Sequence, residues 1–422
     1  ELLSLIRHIE DSGLTDSLVL LHFHLGSQLG DIQTLKNGIK EISQVYVQLV
    51  KREIPVRYLD VGGGLGIDYD ADYAGEDDGI NYTLQEYANA VVYTVKEICD
   101  AANIVHPILI SESGRAITAY HSVLIVETLG AYRKDQIDPQ FRPDSKDHSV
   151  VRELYRILMT VTGNGKSLKL SELLEAYHDA IEKRKDSDAL FSLGYFTIEQ
   201  KALTEQLYWS ACRAIRTAVA ALAPEHLPVE LALLDDHLVD QYLCDFSVFQ
   251  SMLDHWSIGQ RFPIIPLNRL NEQPMVRAVL VDLTCDSDGK VSRYVSSEDD
   301  KDFLPLHEIK NGEPYYLGFF LMGAYQDIMG DAHNLFGRVA EVHVYADEEE
   351  QGGYYIEKII PGMSVEQMLA LVQYFPNDLQ RRMNKSIREK TAQGSIRPKQ
   401  GVELLEQYTR LFAESTYYKR EN

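Results

Sequence analysis

Cysteine is scarce in this chain of 422 residues, and its four cysteines lie far apart. Cys99, Cys212, Cys244 and Cys285 form no C-x-x-C pair, so the spacing predicts neither a disulfide framework nor a structural zinc site. A reducing compartment is the simplest setting for such a chain. We therefore expect a cytoplasmic protein.

Long hydrophobic runs are absent too. No segment approaches the roughly 20 apolar residues that span a bilayer, and no signal-peptide pattern leads the chain. With 45% hydrophobic and 25% charged residues, the composition is that of a globular protein, and the length suggests about two or three domains. The first residue is Glu1, and a helical pattern is already under way there. We expect the natural protein to begin before this residue.

Positive charge is in the minority, with 41 Lys and Arg against 64 Asp and Glu and a net charge of −23. Phosphates repel a chain this acidic, so neither nucleic acid nor membrane is expected as a partner. The same field would attract a cationic substrate. A simple contribution to solubility explains the acidity at least as well.

Helical and strand patterns alternate over residues 1–130. The strand patterns are Ser17–Leu25, Val56–Val61 and Pro107–Ser111, and the helical patterns include Ile32–Val50 and Leu84–Ala101. Nearly continuous apolar strands between amphipathic helices predict a parallel sheet with helices on its faces. Ligands of such folds bind beyond the carboxyl ends of the strands, where three polar clusters of this chain fall.

The remainder of the chain changes character twice. A polar linker at 131–150 is followed by a helical block, in which Thr197 and Gln200 form a capping-box pattern. Further on, strands are predicted, a β-hairpin among them. Another capping-box pattern, Ser364 with Gln367, opens a helical tail. The predicted strands are Val229–Leu234, Val276–Leu283, Tyr315–Met322 and Val339–Tyr345, and the hairpin pairs Val339–Ala346 with Gly353–Ile360.

A glycine-rich segment, Asp60–Gly66, follows the second strand. Its glycines would let the backbone approach a ligand closely and point several N–H groups at one anion. The segment therefore predicts a phosphate-binding loop, although a plain tight turn is an alternative. A dinucleotide fingerprint would need glycine at position 67, where Ile67 stands, and no Walker lysine follows. The glycines concerned are Gly62, Gly63, Gly64 and Gly66.

Two further polar clusters follow the other strands of this region. Glu112 could pair with a protonated ring nitrogen and Arg115 with a phosphate, or the two could form an ordinary surface ion pair. His22 and His24 share one strand face, but no third metal ligand is apparent, so a structural role is the default for each. His24, close to Ser27, could instead stack on a flat ring.

The remaining candidates lie in the second half of the chain. Cys285 stands beside Asp286 and Asp288, and neighbouring negative charge disfavours a thiolate nucleophile. A thiol in that setting is better suited to deliver a proton, and the alternative is a buried, inert cysteine. Tyr325 follows an apolar strand through Gly323, and it could bind a phosphate or simply pack in the core.

In their order and spacing, these clusters resemble the fold III pyridoxal-phosphate decarboxylases, which include ornithine, diaminopimelate and arginine decarboxylases. Within that family, the segments Asp236–Asp240 and Asp282–Lys290 and the helical insertion are most similar to the arginine decarboxylases. The matching elements are His24–Ser27, Asp60–Gly66, Glu112–Arg115, Cys285–Asp286 and Gly323–Tyr325.

The resemblance implies the fold class, which is α/β plus β. It implies the C-terminal part of a (β/α)8 TIM-type barrel, a helical bundle insertion, a β-sandwich or barrel-like domain that carries Cys285, and C-terminal helices. The corresponding expected ranges are 1–135, 148–222, 223–362 and 363–422. The family's cofactor-linked lysine lies on the first barrel strand, and no match for it precedes His24. We expect that lysine and the other barrel strands to precede residue 1, and the alternative is that another chain supplies them.

The resemblance also implies an activity: a lyase that converts L-arginine to agmatine and carbon dioxide, in putrescine and spermidine biosynthesis. Decarboxylation of ornithine or diaminopimelate is an alternative, and so is a non-catalytic regulatory homologue. Pyridoxal 5′-phosphate is the implied cofactor, and magnesium is implied without identified ligands. Family members form homodimers or larger homo-oligomers with shared active sites.

Residue roles follow from the same resemblance. His24 is expected to stack on the pyridine ring, Glu112 to keep its nitrogen protonated, and Cys285 to reprotonate the substrate carbon. The expected phosphate-binding residues are Ser27, Gly62, Gly63, Gly64, Gly66, Arg115 and Tyr325, and Gly114 is a further expected cofactor-binding residue. The expected substrate-binding carboxylates are Asp60, Asp68, Asp70, Asp236, Asp286 and Asp288.

Overall fold

The structure, a computed structural model, describes residues 1–69, 79–134, 136–163, 168–224, 226–295, 302–310 and 312–419. The helices are α1 Leu2–Asp11, α2 Ile32–Val50, α3 Leu84–Ala102, α4 Gly114–Thr118, α5 Ser149–Thr162, α6 Leu170–Ser192, α7 Ile198–Leu222, α8 Val229–Ala232, α9 Leu234–His237, α10 Val248–Ser251, α11 Leu253–Ile258, α12 Gln326–Met329, α13 Val365–Leu371, α14 Pro376–Ala392 and α15 Pro398–Leu411. The strands are β1 Leu20–His22, β2 Tyr58–Asp60, β3 Ile108–Ile110, β4 Leu124–Tyr132, β5 Asp240–Cys244, β6 Ile264–Pro266, β7 Val276–Val281, β8 Lys290–Val291, β9 Leu304–Leu306, β10 Tyr316–Phe319, β11 Glu341–Ala346 and β12 Tyr354–Ile360.

The first part of the chain forms a three-stranded parallel sheet in the order β1-β2-β3. Helices α2 and α3 pack on it, and their apolar faces bury Leu35, Ile39 and Val95 in one core with Leu59. All three predicted strands are present, each only three residues long. The register aligns His22 with Asp60 and Asp60 with Ile110, so the three carboxyl ends lie at one edge.

The helical insertion is a bundle of α5, α6 and α7 around its own hydrophobic core. Helix α7 begins at the predicted capping box, in which Thr197 and Gln200 exchange bonds with each other's backbone N–H. Between α6 and α7, the buried hydroxyls of Ser187 and Thr204 pair at 2.5 Å. That bond satisfies two polar groups that would otherwise destabilise the core.

The predicted strand Val229–Leu234 is wrong, because this segment forms the short helices α8 and α9. Leu231, Leu234 and Leu238 recur at intervals of three and four residues, which is a helical period, and all three are buried against the bundle. The β-branched Val229 that favoured a strand is exposed. Burial of the leucines against the bundle therefore favoured the helix over the predicted strand.

A seven-stranded sheet follows, in the order β6-β10-β4-β5-β7-β8, with β9 paired to β7. Strand β4 pairs antiparallel with both β5 and β10. Residues 124–132 thus belong to this second sheet, although the sequence analysis placed them in the barrel part. Short as they are, the predicted strands near 276–283 and 315–322 are confirmed as β7 and β10.

The predicted hairpin is confirmed as β11 and β12, which pair antiparallel with a bulge between His343 and Val344. The tail comprises α13, α14 and α15, and α13 begins at the predicted capping box of Ser364 and Gln367. In the part of the chain that the structure describes, no helix combines the length and the apolar character that crossing a membrane would require.

We predict that Leu207→Ala destabilises the helical bundle by about 2–5 kcal/mol, because Leu207 is fully buried and alanine would leave a cavity. Urea unfolding, followed by circular dichroism, measures the loss. The matched control is Leu193→Ala, since Leu193 is 70% exposed at the end of α6. Equal losses in both variants would contradict this assignment of the core.

Candidate active site

The polar residues after β1, β2 and β3 meet at the carboxyl edge of the three-stranded sheet. His22 Nδ1 lies 2.8 Å from Asp60 Oδ2, and the Gly62 N–H donates to Asp60 Oδ1 at 2.9 Å. Asp60 is buried, and burial raises the pKa of its carboxyl, but the bonds from Gly62 and His22 outweigh this and hold that pKa below its usual range. Asp60 is therefore a structural anion that fixes the start of the glycine loop.

The glycine loop owes its glycines to close packing against the segment after β1. Gly62 has φ +70°, and a Cβ there would lie 2.2 Å from the carbonyl oxygen of Phe23. Gly64 has φ +92°, and its Cβ would lie 2.2 Å from the carbonyl oxygen of Gly26. No other residue fits either position without displacing backbone.

Two of the predicted phosphate donors are already engaged within the chain. The Gly62 N–H bonds Asp60, and the Gly66 N–H bonds the Tyr82 hydroxyl at 3.1 Å. Those two amides are therefore not free to cradle an anion, which corrects the expectation of four glycines acting alike. Gly63 differs, because its N–H makes only a 3.3 Å bond to His24 Nδ1.

Gly63, His24 and Glu112 converge at one spot. A Cβ on Gly63 would lie 3.5 Å from His24 Cε1 and 3.7 Å from Glu112 Cβ. The Glu112 N–H donates to the Gly62 carbonyl at 2.9 Å, which ties the third strand end to the loop. His24 and Glu112 are both exposed, so an imidazole and a carboxyl face solvent beside a residue without a side chain.

Ligand atoms of three potential metal-binding side chains also lie close together here. His22, Asp60 and Glu112 offer atoms that all fall within 4.8 Å of one another. The group consists of one imidazole and two carboxyls. His22 and Asp60 are already bonded to each other, so no metal is needed to partner these two side chains.

Arg115 holds the second half of the site. Although 93% of its surface is removed from solvent, its guanidinium reaches residues from three separate segments. Nη1 donates to the Tyr69 hydroxyl at 2.9 Å, and Nη2 donates to Ser27 Oγ at 3.2 Å and lies 3.9 Å from Asp254 Oδ2. Its Nε is buried with no hydrogen-bond partner among the described residues. Such an arrangement leaves donor capacity for an anion.

Tyr325 reaches the same cluster through its ring. The Arg115 Cζ lies 4.7 Å from the ring centroid in a cation–π contact, and the predicted bond from the Tyr325 hydroxyl to a phosphate stays a prediction. The backbone at Tyr325 has φ +69°, a conformation that side chains rarely adopt. Gly323 permits the approach, because a Cβ there would lie 1.8 Å from the Thr118 carbonyl oxygen.

Sequence reasoning missed several residues of this cluster. Tyr69 stands three residues after the glycine loop, which was a usable signal. Asp254 carried no signal, since it lies 139 positions from Arg115 and only the fold joins them. Gln326 holds Asp254 in place with two hydrogen bonds, at 3.0 and 2.9 Å.

The Cys285 turn follows β7. Cys285 is exposed, so the alternative of a buried cysteine is wrong, and Asn334 accepts from its N–H at 3.3 Å. Asp286 Oδ1 accepts from the Asp288 N–H at 2.9 Å, while its Oδ2 lies 3.7 Å from His333 Nε2. Among the described residues, no hydrogen bond or ion pair joins this turn to His24, Gly63 or Glu112.

The expected substrate carboxylates lie in different parts of the chain's structure. Asp286 and Asp288 share one turn after β7, whereas Asp236 lies in α9, before β5. Because β5 and β7 run parallel, Asp236 and Asp286 flank opposite ends of this strand pair. Asp68 is half-buried next to Tyr69. Asp70 lies outside the described residues.

Comparison with protein families matches three stretches of the chain. Residues 4–119 match "Pyridoxal-dependent decarboxylase, pyridoxal binding domain". Residues 144–231 match the arginine decarboxylase helical bundle domain, and residues 365–418 match the arginine decarboxylase C-terminal helical extension. The matches occur in the same order as the three-stranded sheet with its helices, the helical bundle and the helical tail.

Curated relatives agree along nearly the whole chain. The biosynthetic arginine decarboxylase of Bacteroides thetaiotaomicron is 42% identical over 409 residues, 97% of this chain and 63% of the relative. That of Deinococcus radiodurans is 40% identical over 425 residues, covering 100% of this chain and 62% of the relative. The chain belongs to the pyridoxal-dependent decarboxylase family, in its arginine decarboxylase branch. It spans less than two thirds of the length of these relatives.

A solved structure supports the fold of this family member. The biosynthetic arginine decarboxylase of Campylobacter jejuni superposes with a TM-score of 0.78 at 31% identity, covering 100% of this chain and 66% of that one. The predicted fold class, part of a TIM-type barrel with a helical insertion and a strand-rich domain, is thereby confirmed.

We predict that Gly64→Ala lowers stability by about 1–3 kcal/mol, because the new Cβ would meet the Gly26 backbone at a strained φ. The midpoint of thermal unfolding measures the effect. Gly130→Ala is the control, since a Cβ at Gly130 meets nothing within 4 Å. A midpoint for Gly64→Ala equal to that of the control would refute the packing role.

Proposed function

We propose that the protein of which this chain forms part is a pyridoxal-phosphate-dependent decarboxylase that converts L-arginine to agmatine and carbon dioxide, in polyamine biosynthesis. The observation that carries the proposal is the buried Arg115 guanidinium beside the convergence of Gly63, His24 and Glu112. Family membership gives the reaction class, and the names of the relatives give the substrate class.

The Arg115 cluster fits the cofactor's phosphate. The hydroxyls of Ser27 and Tyr69 accept from the guanidinium, so each keeps its own O–H to donate. Burial raises the pKa of Tyr69 even though Arg115 opposes this, so the phenol stays protonated and able to donate. Asp254 lies 3.9 Å from Nη2, and the other polar neighbours of this buried cation are hydroxyls that can donate to a phosphate.

The Gly63 spot fits the cofactor's ring. Glycine leaves room for a flat group, the exposed imidazole of His24 would stack on it, and the Glu112 carboxyl would bind its nitrogen. When bound, pyridoxal phosphate accepts the electron pair that the departing carboxylate leaves on the substrate carbon. We propose that Glu112 strengthens this by keeping the ring nitrogen protonated.

We propose that Cys285 returns the proton to the substrate carbon. Its exposed thiol lies 3.7 Å from Asn334 Oδ1, the oxygen that also accepts from the Cys285 N–H. Because Cys285 lacks a described polar bond to Gly63 or His24, we propose that it completes the site of a second chain in a homodimer.

The guanidinium of the substrate requires carboxylates for its binding. We propose Asp286 and Asp288 for that role, with Asp236 contributed by another chain of an oligomer.

The magnesium requirement implied by the resemblance stays a prediction. The described group of His22, Asp60 and Glu112 contains an imidazole, whereas magnesium prefers oxygen ligands. The four free thiols agree with a cytoplasmic location, which we also propose.

We predict that the full-length protein supplied with pyridoxal phosphate forms agmatine from arginine. Chromatography of the products from arginine, ornithine and diaminopimelate separates agmatine from putrescine and lysine. Borohydride reduction with peptide mapping is the companion measurement, since a regulatory homologue would yield no pyridoxyl-lysine. Putrescine or lysine as the main product would replace the proposed substrate, and a protein without product or pyridoxyl-lysine would refute the proposal.

We predict that Cys285→Ala leaves cofactor binding intact and slows turnover by about 10²-fold or more, or misdirects protonation, because a proton donor is lost. Turnover, deuterium placement in the product and cofactor absorbance are measured together. Cys99→Ala is the matched control, since Cys99 is a buried thiol in the core between the three-stranded sheet and its helices. Unchanged turnover and product in Cys285→Ala would remove this residue from the mechanism.

A further inference from the structure

A large cleft separates the helical bundle from the start of the seven-stranded sheet. Its volume is about 1010 Å³, and it is lined by α5, α7, the loop at 136–142 and the first residues of β7. None of the residues assigned above to the cofactor, the substrate or proton transfer lines it. Cavities of about this size commonly hold small organic ligands.

The charge of the cleft is opposite to that of the chain. The protein has a net charge of −23, yet the lining contains four arginines and only two carboxylates. The arginines are Arg142, Arg213, Arg216 and Arg277, and the carboxylates are Asp138 and Asp240. Ion pairs neutralise part of this charge, because Arg213 lies near Asp240 and both Arg216 and Arg277 pair with Asp235. The four arginines still outnumber these two carboxylate partners.

Two of these arginines have unused donors. Arg213 donates through Nη2 to the Lys134 carbonyl at 3.2 Å and lies 3.7 Å from Asp240. Arg277 lies 3.2 Å from Asp235 through Nη1. In both, Nε is buried with no hydrogen-bond partner in the described part of the chain. Buried donors of this kind are rare in proteins and call for an acceptor.

One wall of the cleft is aromatic. Phe141 and Tyr155 pack edge to face with centroids 6.0 Å apart, and the Arg142 guanidinium lies 6.0 Å from the Tyr155 ring. Thr162 and Thr217 also line the cleft, but their hydroxyls donate to the carbonyls of Leu158 and Arg213 in their own helices. Guanidiniums beside an aromatic surface match a phosphate joined to a flat ring.

We propose that this cleft binds a diphosphate-bearing anion, of the size of a nucleoside diphosphate, at a site separate from the decarboxylase centre. Arg213 and Arg277 hold the phosphates, and the Phe141–Tyr155 wall contacts the organic part. Cationic substrates and products are repelled from the cleft by the same arginines, so the ligand is not a polyamine or a guanidino compound.

The test is calorimetric titration of metal-free ADP, and separately of inorganic pyrophosphate, into the full-length protein saturated with pyridoxal phosphate. Saturation keeps both probes out of the cofactor's own phosphate site. The expected dissociation constant is below about 1 mM for at least one probe. Tighter binding of ADP assigns the aromatic wall to the organic part, while equal binding limits the site to the diphosphate. Absence of heat with both probes overturns the proposal.

Variants locate the binding. Arg213→Gln and Arg277→Gln each raise the dissociation constant about tenfold or more, and Arg213→Lys, which keeps the charge, recovers part of the loss. Arg381→Gln is the matched control, because Arg381 lies on the surface of α14, away from the cleft. Thermal unfolding checks that each variant is folded. If Arg213→Gln is unfolded, the affinity of Arg277→Gln for the probes tests the site. Affinities unchanged in the folded glutamine variants would place binding elsewhere and overturn the proposal.

Discussion

The buried guanidinium of Arg115 is the interaction on which the rest of this structure depends. It binds Ser27 and Tyr69 on the side of the three-stranded sheet, and it meets Asp254 and the Tyr325 ring on the side of the larger sheet. A buried cation is costly unless its neighbours satisfy it, so the two halves of the molecule must lie where they do. The unpartnered Nε leaves part of that demand for a ligand.

Backbone packing supplies the second constraint. The glycine loop lies so close to the segment after β1 that Gly62 and Gly64 have no space for a side chain. This contact places Gly63, His24 and Glu112 around one point, while Asp60 anchors the loop through its bonds to Gly62 and His22. The dense glycines thus shape the site chiefly by allowing two loops to meet, and only secondarily by offering N–H groups.

The large sheet and the bundle divide the other tasks. The Cys285 turn follows β7 and Asp236 precedes β5, so they flank opposite ends of this parallel strand pair. In the proposed function, an oligomer brings them to one site. The bundle has a core of its own, and none of its described residues bonds Arg115. Its arginines Arg213 and Arg216 line the cleft that it forms with the start of β7.

The sequence by itself determined the elements whose signals are local. Periodicity predicted α2 with its observed bounds, capping boxes predicted the starts of α7 and α13, and the polar ends of three strands predicted the edge where the site lies. Only the tertiary structure decided which sheet takes β4, that 229–237 is helical, that Asp254 meets Arg115, and that Tyr325 offers its ring face. These depend on contacts between residues distant in the chain, and burial against a partner element outweighs local propensity there.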